Sequence, residues 1–438
     1  MKKIVLSLAG VLAATAFAPE AAAVPGFARQ TGMACSACHF QHFPVLNSFG
    51  MAFKASGYTM MGAQGKVEGE HLTIPDTLNT SALIKMRYQK TNGKDNATDT
   101  AISGTTTNSG QWQVPDEMAM FIGGRVTDNI GAHVEVNLAG TASNGGIATG
   151  FKLPMMWDVG GAKIGAVPFW TDVLGMAHGF ELSSSAMVRG LRWAEDRNLI
   201  SAASFIGMNS GAVTGVAFVA KNDMGYINYT RYAPGDTNAI DATGRNTAAR
   251  QLKSNWLRIA ATPTYADWNM HIALGIASGS NYAATTATPL QDRKATILDF
   301  QGQTQLGGKD FSLYASYARA PGTAAGAAVA NVWNANPNTK SAWQIGADYS
   351  VVPHVLHIGG SYLNGDSGAA TLSDDKGYMV QAIYDMAQNV ALHGSYRKTS
   401  GSVYGVGGAK DLTAAAAVAG KNVKTGDSLI NLMLEVSF

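Results

Sequence analysis

Cysteine is almost missing from this chain: 438 residues contain only two. No second pair exists to complete a four-ligand zinc site. Charge is scarce as well, with Asp, Glu, Lys and Arg at 14% and a formal net charge of +2. So neutral a chain lacks the basic stripe of a nucleic-acid protein, and no nucleic-acid partner is expected. Beyond the first 23 residues, no apolar run reaches the roughly 18 residues that a membrane-spanning helix needs. That absence does not exclude a β-barrel, whose strands are short and alternate.

Glycine is abundant at 50 residues, alongside 15 Tyr, 15 Phe and 8 Trp. Many glycines and aromatics with few charges suit an all-β chain with many turns. Residues 1–23 read as a signal peptide. Lys2 and Lys3 form its basic start, Ile4 to Ala18 its apolar stretch, and Ala21-Ala22-Ala23 the small residues before cleavage at Val24. The mature chain is therefore expected outside the cytoplasm.

Both cysteines fall in one motif, Cys35-Ser-Ala-Cys38-His39. Thiols three residues apart reach the two vinyl groups on one edge of a porphyrin, and the following imidazole lies where it can bind iron. The motif thus points to one covalent haem c, with Cys35 and Cys38 as attachment points and His39 as the proximal iron ligand. A thioredoxin-type redox pair would expect a βαβ setting, which the sequence does not show. His42 follows His39 by three residues, would share its helical face, and so would not cross to the far side of the ring. The distal ligand is expected to be Met60, with Met61, Met51 and His71 as alternatives. A short helix is expected from Pro44 to about Ser56, with Gly57 as its stop. Val45, Phe49, Ala52 and Phe53 would form its apolar face, and the chain leaving Gly57 would return across the haem. An open sixth position is the remaining alternative.

From about residue 77 the hydrophobic period becomes two. Ile430, Leu432, Leu434, Val436 and Phe438 alternate with Asn431, Glu435 and Ser437, with Met433 breaking the polar face. The same alternation recurs over 311–317, 343–349, 356–362 and 134–138. Segments of about ten residues, aromatic near their ends and one-sidedly apolar, fit a transmembrane barrel. The chain stops on such a strand at Phe438, which resembles the terminal signal of outer-membrane barrels. Tight turns are expected at 128–129, 159–161, 221–223, 265–267, 307–310, 352–353 and 387–389. Longer loops alternate with them. If 172–210 is one long loop the count is 16 strands; a hidden hairpin would make it 18. That loop follows the fifth strand, where general porins fold a loop into the pore.

The expected architecture is therefore an all-β outer-membrane barrel over 77–438, preceded by a small helical cytochrome segment over 24–76. That segment is too short to bury a core alone, so it is expected in or under the barrel lumen, as a plug facing the periplasm. Lys85, Arg87, Glu135, Asp348, His357, His393 and Glu435 fall on the inward face and read as a hydrated pore wall. Glu135 or Asp348 could alternatively meet a passing divalent cation, although no cluster has metal-ligand spacing.

Phe27-Ala-Arg-Gln-Thr-Gly32, Cys35-Ser-Ala-Cys-His39, Phe43-Pro-Val-Leu-Asn-Ser-Phe-Gly50 and Phe53-Lys-Ala-Ser-Gly-Tyr58 resemble the start of the fused outer-membrane cytochrome–porins of iron-oxidising bacteria. The match covers about residues 25–60; beyond it the likeness is one of architecture and length. The chain departs from that family at Met51, where arginine is favoured. The resemblance implies oxidation of Fe(II) at the cell surface, with electrons passing from the single haem to a periplasmic c-type cytochrome. Two other functions use the same parts: a porin with a structural or sensory haem, and an outward conduit that reduces extracellular acceptors.

Overall fold

The computed structural model describes residues 25–92, 110–140, 148–172, 201–208, 212–235, 251–282, 290–371, 373–401 and 427–438. The expected signal peptide over 1–23 and most of the long loops lie outside these residues.

Sixteen antiparallel strands close on themselves. The first barrel strand, Thr80–Thr91, pairs with the last, Ser428–Ser437, from Leu429↔Thr91 to Ser437↔Leu83. Phe438 completes the seam: its N–H donates to the Ala82 carbonyl at 3.0 Å, and the Ala82 N–H donates back at 2.7 Å. Closure leaves no row of unpaired backbone groups, which a membrane interior would penalise by several kcal/mol per group. The fifth strand, Ala162–Asp172, pairs directly with the sixth, Ala212–Asn222, up to Asp172↔Ala212. The stretch between them therefore adds no hairpin to the wall, which settles the count at 16 rather than 18. Removing Phe438 deletes two backbone hydrogen bonds worth about 0.5–1.5 kcal/mol each. The truncated chain should unfold in detergent at a lower denaturant midpoint, by roughly 1–3 kcal/mol; an unchanged midpoint would contradict the role given to this seam.

The period-two reading holds in phase. In the last strand Asn431, Met433, Glu435 and Ser437 are buried, whereas Ile430 and Leu432 are 52% and 44% exposed. The same outward apolar row carries Ile345, Ile358, Leu298, Ile272 and Ile227. Trp112, Trp157, Tyr265, Trp343 and Tyr378 are exposed on the outside, the aromatic residues that a bilayer interface selects. Met433 joins the polar inner face because its sulfur lies 3.6 Å from Nη2 of Arg87, and a polarizable thioether tolerates that setting.

Inside the cylinder sits the N-terminal segment. Helix α1 (Pro25–Thr31), the single turn α2 (Cys35–Cys38) and helix α3 (Ser48–Ala55) are joined by extended chain. Phe27 stacks at 5.9 Å on His133; Ala55 packs with Tyr226, Ala260 and Ala273; Val45 packs with Tyr314; and His42 bonds Asp348. Those partners come from the inner faces of strands well separated around the barrel, which only an object within the cylinder can touch. The segment lies at the short-turn end: Gln41 donates to the Asp310 carbonyl, beside the Gly307–Gly308 turn, and Gly57 meets Pro154 and Gly131. A Cβ at Gly131 would collide with the Gly57 carbonyl, so this strand needs glycine for the plug to approach. A hairpin, Lys66–Gly69 and Leu72–Pro75, then leads to the first barrel strand.

Helix α3 is shorter than the sequence suggested. It starts at Ser48, capped by Asn47, whose side chain accepts from the Gly50 N–H at 2.9 Å. Pro44 lies before it, in the stretch that pairs His39 with Leu46. Phe49 and Ala52 are exposed, while Phe53 and Ala55 are buried, so the buried face is shifted from the expected one.

The hydrated wall expected from the inward charges is also corrected. Lys85, Arg87, Asp348, His357, His393 and Glu435 are all buried. Arg87 and Asp116, both with side chains at 0% exposure, pair at 2.9 Å, and Lys85 meets Glu117 at 2.8 Å. The lumen is filled from its other half too. Residues 201–208 carry helix α4 (Ala202–Phe205), which Ser201 caps. The loop after the fifth strand thus does turn inward in its described part. Phe205, Ile206 and Met208 pack on Trp256, Trp333, Ala318, Ala342 and Leu363. Small inward residues on those strands make room for this apolar insertion.

Candidate functional site

In α2 the two cysteines stand one helical turn apart and so share a face. Both are half-buried, and they are not joined in a disulfide. Burial, and then the neighbouring Cys35 charge, pushes the Cys38 thiol above its usual range. His39 ends the turn with extended backbone, and its N–H donates to the Cys35 carbonyl at 2.9 Å. Its ring Nδ1 lies 3.3 Å from the Val45 carbonyl. A carbonyl can only accept, so the proton is assigned to Nδ1, and Nε2 would be the nitrogen that could bind an iron. Metal-binding histidines are oriented in this way by a backbone acceptor. For haem c, these residues fit: Cys35 and Cys38 for the two thioether bonds, His39 Nε2 for the iron.

Asn47 organises the motif and was not singled out by the sequence reading. Besides capping α3, its amide donates to the Ala37 carbonyl at 2.9 Å, and its backbone N–H donates to the Cys38 carbonyl at 3.0 Å. Its signal was the preference of Asn for the N-cap position. Gly50 allows α3 to lie against α2, since a Cβ there would strike the Cys38 carbonyl. On the other side of the segment Phe27, Phe53 and Tyr58 pack ring to ring at 4.9–5.7 Å. Burial raises the Tyr58 phenol well above its ordinary range.

Polar contacts clamp the motif to the wall. Gln41 Nε2 donates to the carbonyls of Asp310 and Asp348, both at 3.0 Å, and its oxygen accepts from Ser312 at 2.7 Å. His42 Nε2 lies 2.8 Å from Oδ2 of Asp348, which also accepts from Gln381 at 2.9 Å. Gln303 donates to the Leu46 carbonyl at 2.9 Å.

A cavity of about 240 Å³ opens beside the motif, lined by Cys35, His39, His42, Asp310 and His354 among others. None of the four distal-ligand candidates lines it. The Met60 carbonyl is held by Gln30 at 2.8 Å. Met61 is half-buried. Met51 packs towards Tyr226 and lines a separate cavity of about 210 Å³. His71 is 91% exposed on the hairpin, 3.7 Å from Glu70. Of the two lumen carboxylates considered for a passing cation, Asp348 is engaged by His42 and Gln381, and Glu135 stands on the third strand opposite Phe121. Among the described residues, no group of three or more His, Cys, Asp or Glu could hold a metal ion.

No protein-family model and no curated protein matches the chain. Solved structures do. OprB of Pseudomonas putida is 9% identical, covers 83% of this chain and 94% of its own, and superposes with a TM-score of 0.51. The outer membrane channel DcaP of Acinetobacter baumannii is 13% identical, covering 82% and 97% respectively, with a TM-score of 0.49. OmpT, an outer-membrane protein of Vibrio cholerae, is 14% identical, covering 85% and 100%, with a TM-score of 0.44. At these identities the likeness is one of fold, and the fold is a closed porin-like barrel.

Proposed function

We propose that this chain is an outer-membrane electron-transfer protein. It would oxidise extracellular Fe(II) at one c-type haem held by Cys35, Cys38 and His39, and pass the electrons to a periplasmic c-type cytochrome. The observation that carries this reading is a Cys-x-x-Cys-His turn clamped by buried contacts inside a closed barrel, with His39 Nδ1 on a carbonyl. The resemblance of residues 25–60 to the cytochrome–porins adds to it. So does the outward apolar surface, which suits the outer membrane.

The haem would supply a one-electron acceptor within an insulating wall. The protein's part is positional. Asn47 and Val45 fix the motif, while Gln41 and His42 hold it to the barrel. The plug and the 201–208 segment fill lumen that an open channel would leave to solvent. Each Fe(II) gives up one electron and leaves as Fe(III) on the outside; no acid–base or nucleophilic group is needed.

Stopped-flow mixing of the purified, oxidised protein with Fe(II) at neutral pH tests this. Prompt haem reduction is expected. Reduction by periplasmic carriers but not by Fe(II) would reverse the direction of flow. An intact conductance in a chain lacking Cys35 would favour a porin with an accessory haem.

A further inference from the structure

We infer that His354, in the exposed turn that joins two barrel strands, would be the second nitrogen ligand of a haem whose iron His39 would hold. The inference rests on the haem reading above and adds the ligand that reading left open.

Four observations carry it. First, His354 lines the same cavity as Cys35 and His39, whereas Met51, Met60, Met61 and His71 do not. Second, the other donors lining that cavity are already engaged. His42 has Nε2 on Asp348 and Nδ1 3.1 Å from the Phe43 carbonyl, and the Asp310 carboxylate accepts from Gln305 at 3.1 Å. His354 makes no hydrogen bond or ion pair among the described residues. Third, its backbone is left-handed, with φ of 59°. Comparable positions of other short turns carry Gly161 and Gly308, and also Asp267 and Asn389. Histidine is among the residues that adopt this conformation readily, and with Pro353 before it the turn fixes where the imidazole leaves the backbone.

Fourth, the turn is rigid, as a ligand-bearing turn should be. The Val355 N–H donates to the Val352 carbonyl at 3.0 Å, the Val355 carbonyl accepts from the Asp385 N–H at 2.9 Å, and the Val355 side chain is buried. On the strand that leads into this turn, Lys340–Val352, Asp348 anchors His42 and Gln41. The strand that docks the motif thus also leads directly to the turn that carries His354. Ligation by plug and barrel together would make correct haem geometry depend on docking. Two nitrogen ligands also set a lower potential than a Met/His pair.

The test uses the full-length, haem-loaded protein and its electron paramagnetic resonance and visible spectra. The wild type should be low-spin and lack the methionine–iron charge-transfer band. His354→Asn, which tolerates the left-handed turn, should lose the low-spin signal and regain it on adding free imidazole. His354→Met should return to six-coordination with a raised potential. Heat-modifiable migration of each variant controls for folding. A low-spin spectrum unchanged in His354→Asn, or a wild type that is high-spin or shows the methionine band, would overturn the assignment while leaving the haem reading intact. A wild-type protein with no covalent haem would sink both.

Discussion

The double variant Cys35→Ala/Cys38→Ala is expected to fold as a barrel, carry no haem and show no Fe(II)-dependent reduction. Both thiols are needed for the two thioether bonds, so the loss of haem should be complete rather than graded. The fold should survive because neither cysteine is fully buried or in a disulfide. A small apolar thiol replaced by alanine in an exposed-to-half-buried turn costs little. The strand ladder that closes the barrel is independent of α2. His39→Ala separates attachment from ligation: the haem should remain covalently bound while its iron loses the proximal nitrogen. Haem staining of a denaturing gel and the visible spectrum read both outcomes. A Soret band retained by the double variant would contradict the assignment of these residues.

Asp348→Ala should release the plug from the wall without unfolding the barrel. The Asp348 carboxylate accepts from His42 and from Gln381, and all three side chains are buried. Removing it strands two buried donors at about 1–3 kcal/mol each, roughly 2–6 kcal/mol of docking free energy in all. The strand itself pairs through its backbone from Phe311↔Tyr349 to Ala320↔Lys340, which the side chain does not touch. Limited proteolysis should then cut within residues 25–64 at a rate well above wild type, with the barrel core still resistant. The cycle with His42→Ala should show that the two substitutions are not additive, because they remove a shared contact. Unchanged protection of the plug in Asp348→Ala would contradict the clamp.

The barrel was legible in the sequence because its signal is local and repeated. Alternation over 428–438, 343–349 and 311–317 fixes which side chains face out, and the tight turns fix the parity. The Cys35–His39 motif stood out by its spacing, and the structure places its two cysteines on one helical turn. The filling of the lumen was not legible. Arg87 and Lys85 look the same in sequence whether they line water or pair with Asp116 and Glu117; the register of the first strand against the second decides it. Inward alanines such as Ala318 and Ala342 carry no obvious message until Phe205 and Trp333 are seen against them. Contacts that join residues far apart in the chain, such as His42 with Asp348 across 306 positions, have no local pattern at all. The placing of His354 on the same cavity as His39 is likewise linked by no motif. The start of α3 was misjudged for a smaller reason. Pro44 suits a first helical turn, but Asn47 satisfies the free N–H groups by its side chain, and the helix begins there.

The central claim is a porphyrin joined by two thioether bonds to the segment that closes one end of this barrel. Intact mass spectrometry of the chain purified from outer membranes under denaturing conditions tests it most directly. The account predicts the mass of the processed polypeptide plus one haem, with the added mass confined to the peptide containing Cys35 and Cys38. The mass of the bare polypeptide, with both thiols open to alkylation, would contradict it.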